Sequence, residues 1–283
     1  MDFRIATDLW HRAGNPVKNE LRQIKEAGFD GVEFTFSEEG ERNPPLSDRG
    51  YLRLERLKED ASELRRAASE VGLEVPSVRS GLLWRYPLTS PDPKVREKAL
   101  EIVERELEAC SLLGAEVLLV VPGLVTEDVT YDEAYRVSQS SLKVLARKAE
   151  KVGVTIGVEN VCNNFLLSPM EMARFIDELG SERIGAYLDV GNVLACRQGF
   201  PQHWVQILGK RVKRVHVKDY DTRSGTVTYP PQGDVNWPSV IRALRGTGYR
   251  GYLTAELPPF KFLPEMSFKH VAEIMRALIY LPG

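Results

Sequence analysis

The chain has 283 residues, 43% of them hydrophobic and 28% charged, which is enough apolar material for a sizeable core in one barrel-sized domain over residues 1–283. Its 38 basic and 40 acidic residues leave a net charge of −2, which argues against a nucleic-acid partner and leaves no polybasic arm for a membrane surface. The opening MDFRIATDLW lacks the apolar core of a signal peptide, and the longest apolar run, Val117 to Val121, is far too short to span a bilayer. Three well-separated cysteines, Cys110, Cys162 and Cys196, suggest a reducing compartment and no disulfide framework, so a cytoplasmic enzyme is expected.

Along the chain, strand and helix patterns alternate without a break. Arg4–Leu9 reads as the first strand. Asn15–Gly28 reads as a helix, with Val17, Leu21, Ile24 and Ala27 at three- and four-residue spacing and Gly28 to stop it. Gly31–Phe36 is the second strand, Tyr51–Gly72 a long amphipathic helix, Glu74–Ser80 the third strand and Pro91–Leu113 a helix ended by Gly114. Glu116–Pro122, Thr155–Asn160, Ile184–Asp189, Val212–Lys218 and Tyr252–Glu256 supply strands four to eight. Helices are expected over Tyr131–Val152, Pro169–Leu179, Pro201–Leu208 and Pro238–Gly246, with a closing helix from Ser267 to Tyr280. Strands such as EVLLVV are apolar throughout, as when both faces are covered. Eight strands alternating with eight helices predict a closed (β/α)8 barrel, a TIM barrel, whose active site lies at the strand C-terminal ends.

Four of the predicted strands carry one acidic or imidazole residue each. TIGVEN holds Glu159, GAYLDVGN holds Asp189, VKRVHVKD holds His216 and YLTAEL holds Glu256. The gaps are 30, 27 and 40 residues, roughly one strand-plus-helix unit each. Charges rarely sit inside apolar strands unless paired or bound to a metal. On strands five to eight of a parallel barrel these side chains converge at one end. Hard oxygen donors plus one imidazole suit one divalent ion, Mn2+ first, with Mg2+, Co2+ or Zn2+ as alternatives.

Other residues are candidates for the same mouth. Lys218 shares the alternation of His216 and is placed to stabilise a substrate oxyanion. Glu33, in GVEF of strand two, is placed to bind a substrate hydroxyl. Arg79 at the end of strand three, and Arg85 in the loop after it, are placed to hold a phosphate. Trp10 and His11 follow strand one and are candidates for the pocket wall, whereas Trp237, in DVNWP, is expected to pack the loop that enters the last helix. Gly246, Gly248 and Gly251 spell GxGxxG but follow a helix and precede a strand, the reverse of a dinucleotide fingerprint.

The runs LRQIKEAGFDGVEF, VENVCN, LDVGN, VHVKDYD, QGDVNW and GYLTAEL resemble, in order over nearly the whole chain, the xylose-isomerase-like barrel superfamily, and within it the pentulose-5-phosphate and ketose 3-epimerases. The resemblance implies a divalent metal on Glu159, Asp189, His216 and Glu256, with Glu159 and Glu256 serving in catalysis. Where ketose 3-epimerases often carry a substrate-binding histidine three positions after the strand-six aspartate, this chain has Asn192. The arginine common after the strand-seven histidine has its nearest counterpart in Arg223. The implied partner is a small-molecule sugar or sugar phosphate, in a chain that forms a homo-oligomer in many barrels of this type. The alternatives are an inosose dehydratase-like or hydroxypyruvate isomerase-like enzyme, or a sugar-binding barrel without turnover. An apurinic endonuclease needs a multi-zinc cluster, and His11, His203, His216 and His270 are too few to fill one.

Overall fold

The computed structural model describes residues 3–9, 16–37 and 51–281. Eight parallel strands form the barrel: β1 (Arg4–Asp8), β2 (Gly31–Ser37), β3 (Ser77–Ser80), β4 (Val117–Val120), β5 (Thr155–Glu159), β6 (Ile184–Asp189), β7 (Val212–Val217) and β8 (Tyr252–Ala255). Neighbours in sequence pair in space, and the ring closes through β1, which pairs with β8 (Arg4↔Tyr252) on one side and β2 (Thr7↔Val32) on the other. The register slips between Ala186 and Tyr187, after which Asp189 stands beside His216 on the adjacent strand. The slip thus makes two of the expected ligands lateral neighbours.

Around the strands run α1 (Val17–Ala27), α2 (Leu57–Glu70), α3 (Pro93–Leu113), α4 (Tyr131–Val152), α5 (Pro169–Leu179), α6 (Pro201–Leu208), α7 (Trp237–Gly246) and α8 (Glu265–Ile279). Local chemistry sets their ends. In α5, Ser168 accepts from the Glu171 amide, Pro169 occupies the first turn, and Gly180 stops the helix at φ +66, a left-handed conformation that costs glycine little. The apolar faces of the helices pack against strands such as VLLV, buried at every position, and fill the layer between the two rings. At the strand N-terminal end, Arg214 lies two residues before His216 on β7. It closes the barrel by bonding the Glu116 carboxylate and the Pro76 carbonyl.

Four local elements differ from the sequence reading, one of them a short helix, Leu82–Arg85, in the loop expected after β3. The single helix expected over residues 51–72 is a short strand (Leu52–Arg53), a helical turn (Leu54–Arg56) and then α2. Leu52 pairs with Phe36, and the Arg53 guanidinium is held in two bonds by Asp60, so the first residues are drawn onto the sheet edge. A short helix, Val190–Ala195, follows β6 directly, nucleated by the Asp189 carboxylate accepting from the Asn192 amide. After β7 the chain forms an antiparallel hairpin (Asp219–Asp221 with Thr226–Thr228), anchored by Trp237, whose indole N–H donates to Asp219 at 2.9 Å.

The expectation of no disulfide is also corrected: Cys162 and Cys196 are bonded, with Cα atoms 5.2 Å apart. They are 34 residues apart in sequence, but they lie in the segments following β5 and β6. Those strands are neighbours in the barrel, so the segments meet. The cysteine spacing therefore carries no argument about compartment. Cys110 is free and buried in α3. Among the described residues no helix is long and apolar enough to cross a membrane.

Candidate metal centre

Glu159 and Asp189 are the last residues of β5 and β6, His216 is the fifth residue of β7, and Glu256 follows β8 directly. One ligand atom from each lies within 4.8 Å of every other. His216 Nδ1 faces Glu256 Oε2 at 3.6 Å, Asp189 Oδ2 at 3.8 Å and Glu159 Oε1 at 3.9 Å. These are too long for hydrogen bonds, and Nδ1 has no hydrogen-bond partner although it is buried. An orphaned imidazole nitrogen ringed by three carboxylate oxygens is costly unless something bonds to all four. Ligands each about 2.2 Å from one ion at tetrahedral angles stand about 3.6 Å apart, close to the spacing seen.

Charge points the same way. Five carboxylates (Asp8, Glu33, Glu159, Asp189 and Glu256) converge on two fixed cations, Arg79 and Lys218. Burial pushes Glu159 up to about 8, helped by the Glu256 and Asp189 charges. Burial also raises Asp189. Burial alone would lower His216, but the Glu33 and Glu256 carboxylates push it up to about 9. Glu256 moves the other way: burial opposes ionisation, but Lys218, His216 and Arg79 outweigh it and hold the carboxyl well below the usual range. Raised acids beside a raised imidazole mark a basin short of positive charge, and a divalent ion supplies it. The donor set, three carboxylates and one imidazole, fits such an ion.

Lys218 is brought to the site. Its ammonium stands 2.5 Å from Glu256 Oε2 and 2.8 Å from Asp189 Oδ2. Gly191 makes room for it, since a Cβ there would lie 2.5 Å from Lys218 Cγ. Arg79 is also brought in. Nη1 donates to Glu256 at 2.8 Å, Nη2 donates to Asp8 at 2.9 Å, and Nε lies 3.5 Å from Glu33. Expected to hold a phosphate, the guanidinium is thus committed to three carboxylates.

Glu33 is fully buried, and both its oxygens are engaged by His216, Ser77 and Tyr187. Asn192 lies beside the ring but spends its side chain on the backbone, donating to the Asn160 carbonyl at 3.0 Å. Asn160 in turn holds Asp189 by both backbone groups: its amide donates to the Asp189 carbonyl at 2.9 Å, and its oxygen accepts from the Asp189 N–H at 2.8 Å. Arg223 is not brought to the ring. It lies exposed in the hairpin turn, where its amide donates to Asp221. Arg85 is exposed with its guanidinium 5.2 Å from the Tyr86 ring. Trp10 and His11 lie outside the described residues, while His203 and His270 sit on α6 and α8, outside the barrel.

Sequence reasoning passed over Asp8, Ser77, Asn160 and Tyr187. Asp8 had a legible signal, a carboxylate closing the strand RIATD as Glu159 and Asp189 close theirs. Burial pushes it up to about 7 although Arg79 pulls it down.

The chain belongs to the family of xylose isomerase-like TIM barrels, whose profile matches residues 21–278. An L-ribulose-5-phosphate 3-epimerase of Shigella flexneri is 29% identical over 251 residues, covering 87% of this chain and 83% of that protein. The enzyme of that name from Salmonella paratyphi C is 27% identical over 247 residues, with the same coverage of both chains. Among solved structures, an L-ribulose 3-epimerase superposes with a TM-score of 0.79 at 18% identity, covering 98% of this chain and 94% of that one. The D-psicose 3-epimerase of Clostridium cellulolyticum H10, solved with D-tagatose, gives 0.78 at 15% identity over 99% of both chains. These superpositions establish the fold.

Proposed function

We propose that the chain is a divalent-metal-dependent epimerase of a sugar or sugar phosphate, an enzyme of the isomerase class. The observation that carries the metal is the unpartnered His216 Nδ1 inside a ring of three carboxylates. Glu159, Asp189, His216 and Glu256 would hold the ion. When bound, it supplies Lewis-acid stabilisation of the negative charge that develops on the substrate oxygen as a proton leaves the adjacent carbon.

The residues around it divide the remaining work. Epimerisation removes that proton from one face and returns one to the other, so it calls for two proton-handling groups. Glu159 and Glu256 stand at the ends of β5 and β8, three strands apart around the ring. Their environments push their ionisation apart, Glu159 up and Glu256 down. Two carboxylates at separate strand ends can take the two parts, one removing the proton and the other returning one. Lys218 and Arg79 keep Glu256 ionised and aimed, and Lys218 is close enough to the ring to share the developing oxyanion. The curated relatives, epimerases of a pentulose 5-phosphate by name, support a ketose or its phosphate as the substrate class.

The test is a panel of ketoses, their 5- and 6-phosphates, inososes and hydroxypyruvate, assayed with added Mn2+ in deuterated water. Epimerisation with deuterium entering the carbon beside the carbonyl, abolished by chelator and restored by Mn2+, is expected. Full activity in excess chelator, or unlabelled product from an active enzyme, sinks the proposal. Turnover of the inosose or hydroxypyruvate alone assigns the same ion seat to a dehydratase or a hydroxypyruvate isomerase.

A further inference from the structure

The geometry points to Glu33 as a positioning residue that decides which imidazole nitrogen of His216 is offered to the ion. The inference rests on the metal reading above and goes one layer deeper into the barrel. Glu33 Oε1 lies 2.9 Å from His216 Nε2, and Oε2 accepts from Ser77 Oγ and from Tyr187 Oη, each at 2.5 Å.

A carboxylate that already accepts from two hydroxyls presents an acceptor to the ring as well, so Nε2 carries the proton of that contact. In the neutral ring that an ion would bind, the lone pair is then on Nδ1, the nitrogen that faces Glu159, Asp189 and Glu256 and has no hydrogen-bond partner. The Tyr187 ring, its centroid 4.4 Å from that of the imidazole, restrains the same side chain through packing. Tyr187 precedes Asp189 by two positions on β6, and Ser77 precedes Arg79 by two on β3. Side chains two apart share a strand face, so the cradle lies one layer beneath the ligand ring. Glu33 is fully buried with both oxygens engaged, which leaves it no exposed acceptor for a sugar hydroxyl.

The experiment compares wild type, E33Q and E33A by 15N-histidine NMR and by Mn2+ titration. In the metal-free protein the His216 Nε2 proton should resonate downfield and exchange slowly, and it should vanish in E33A. Adding Zn2+ to wild type should move the Nδ1 resonance and leave the proton on Nε2. The Mn2+ dissociation constant should rise about 10- to 100-fold in E33A. It should rise less in E33Q, whose amide oxygen still accepts from Nε2, and KM for the sugar at saturating Mn2+ should be unchanged. Zn2+ on Nε2, an unaltered Nε2 proton in E33A, or a raised KM with unchanged Mn2+ affinity would overturn the assignment. If wild type binds no ion, the metal reading fails by itself, and the metal-free spectra still decide whether Glu33 holds the ring. Should E33A not fold, E33Q and Y187F carry the comparison.

Discussion

Strands β5 to β8 present Glu159, Asp189, His216 and Glu256 around one unpartnered nitrogen, whereas β1 to β3 present Asp8, Glu33 and Arg79 bonded to one another or to their neighbours. Both halves of the mouth are rich in buried carboxylates. Residue type therefore does not separate them. What does is the kind of atom left over: the first half leaves an imidazole nitrogen facing three carboxylate oxygens and suits an ion, while in the second the Arg79 guanidinium already links the carboxylates and only Asp8 Oδ1 and Arg79 Nε lack a hydrogen bond. The guanidinium of Arg79 is the seam, reaching from β3 to Asp8 and across to Glu256.

The largest effect that would sharpen this contrast is expected from His216→Ala. Metal content should fall from about one ion per chain to none, with activity dropping by more than the roughly 100-fold reached when an outer partner of a ligand is lost. Elemental analysis and turnover with added Mn2+ measure it, and retained metal would mean that the open half is not an ion seat. Arg79→Leu should behave differently. It leaves Asp8 and Glu33 buried without their cation, costing about 3 kcal/mol in denaturant unfolding, the low end of the range because the guanidinium is 25% exposed. Metal should still bind. Equal loss of metal in both variants would erase the distinction between the halves.

Breaking the Cys162–Cys196 bond, which ties together the segments following β5 and β6, should cost about 2 kcal/mol, read as a lower melting temperature of the double serine variant. An unchanged melting temperature would show that the ligand half needs no such tie. The smallest effect belongs to Asp8→Asn. The Asp8 carboxyl is raised from 3.8 to about 7, so the folded state binds more protons than the unfolded state between those values. Stability is thus fully present at low pH and lost as pH climbs through that window. Melting of the metal-free protein should therefore fall less steeply from pH 4 to 7 in the variant than in wild type. Parallel slopes would mean that Asp8 is already ionised beside Arg79.

How much of this was legible in the sequence follows from where each partner comes from. The four ligands could be read because each is a charged or imidazole group inside an apolar strand, an anomaly visible within six residues. Lys218 followed from its two-residue step past His216. Glu33 and Arg79 were visible as residues but not as roles. Ser77 is 44 positions from Glu33, and Glu256 is 177 from Arg79, and only barrel closure brings them together. The cysteine pair was misread, and the tie from Asn192 to Asn160 was not visible, for the same reason, since adjacent strands bring together segments far apart in the chain. The start of α2 was misread because Leu52 is taken by the sheet edge, a tertiary pull that helical periodicity does not contain.

The ties among Asn160, Asp189 and Asn192 run through main-chain groups at the strand ends. They do not draw on the hairpin after β7 or the segment after β8. A seat stitched in this way is insulated from remodelling overhead: those surroundings can be lengthened, shortened or exchanged to admit a different sugar while the anchorage of the aspartate is left untouched. For anyone wishing to redirect such a barrel, the asparagines mark the boundary between what is safe to recut and what must be left alone.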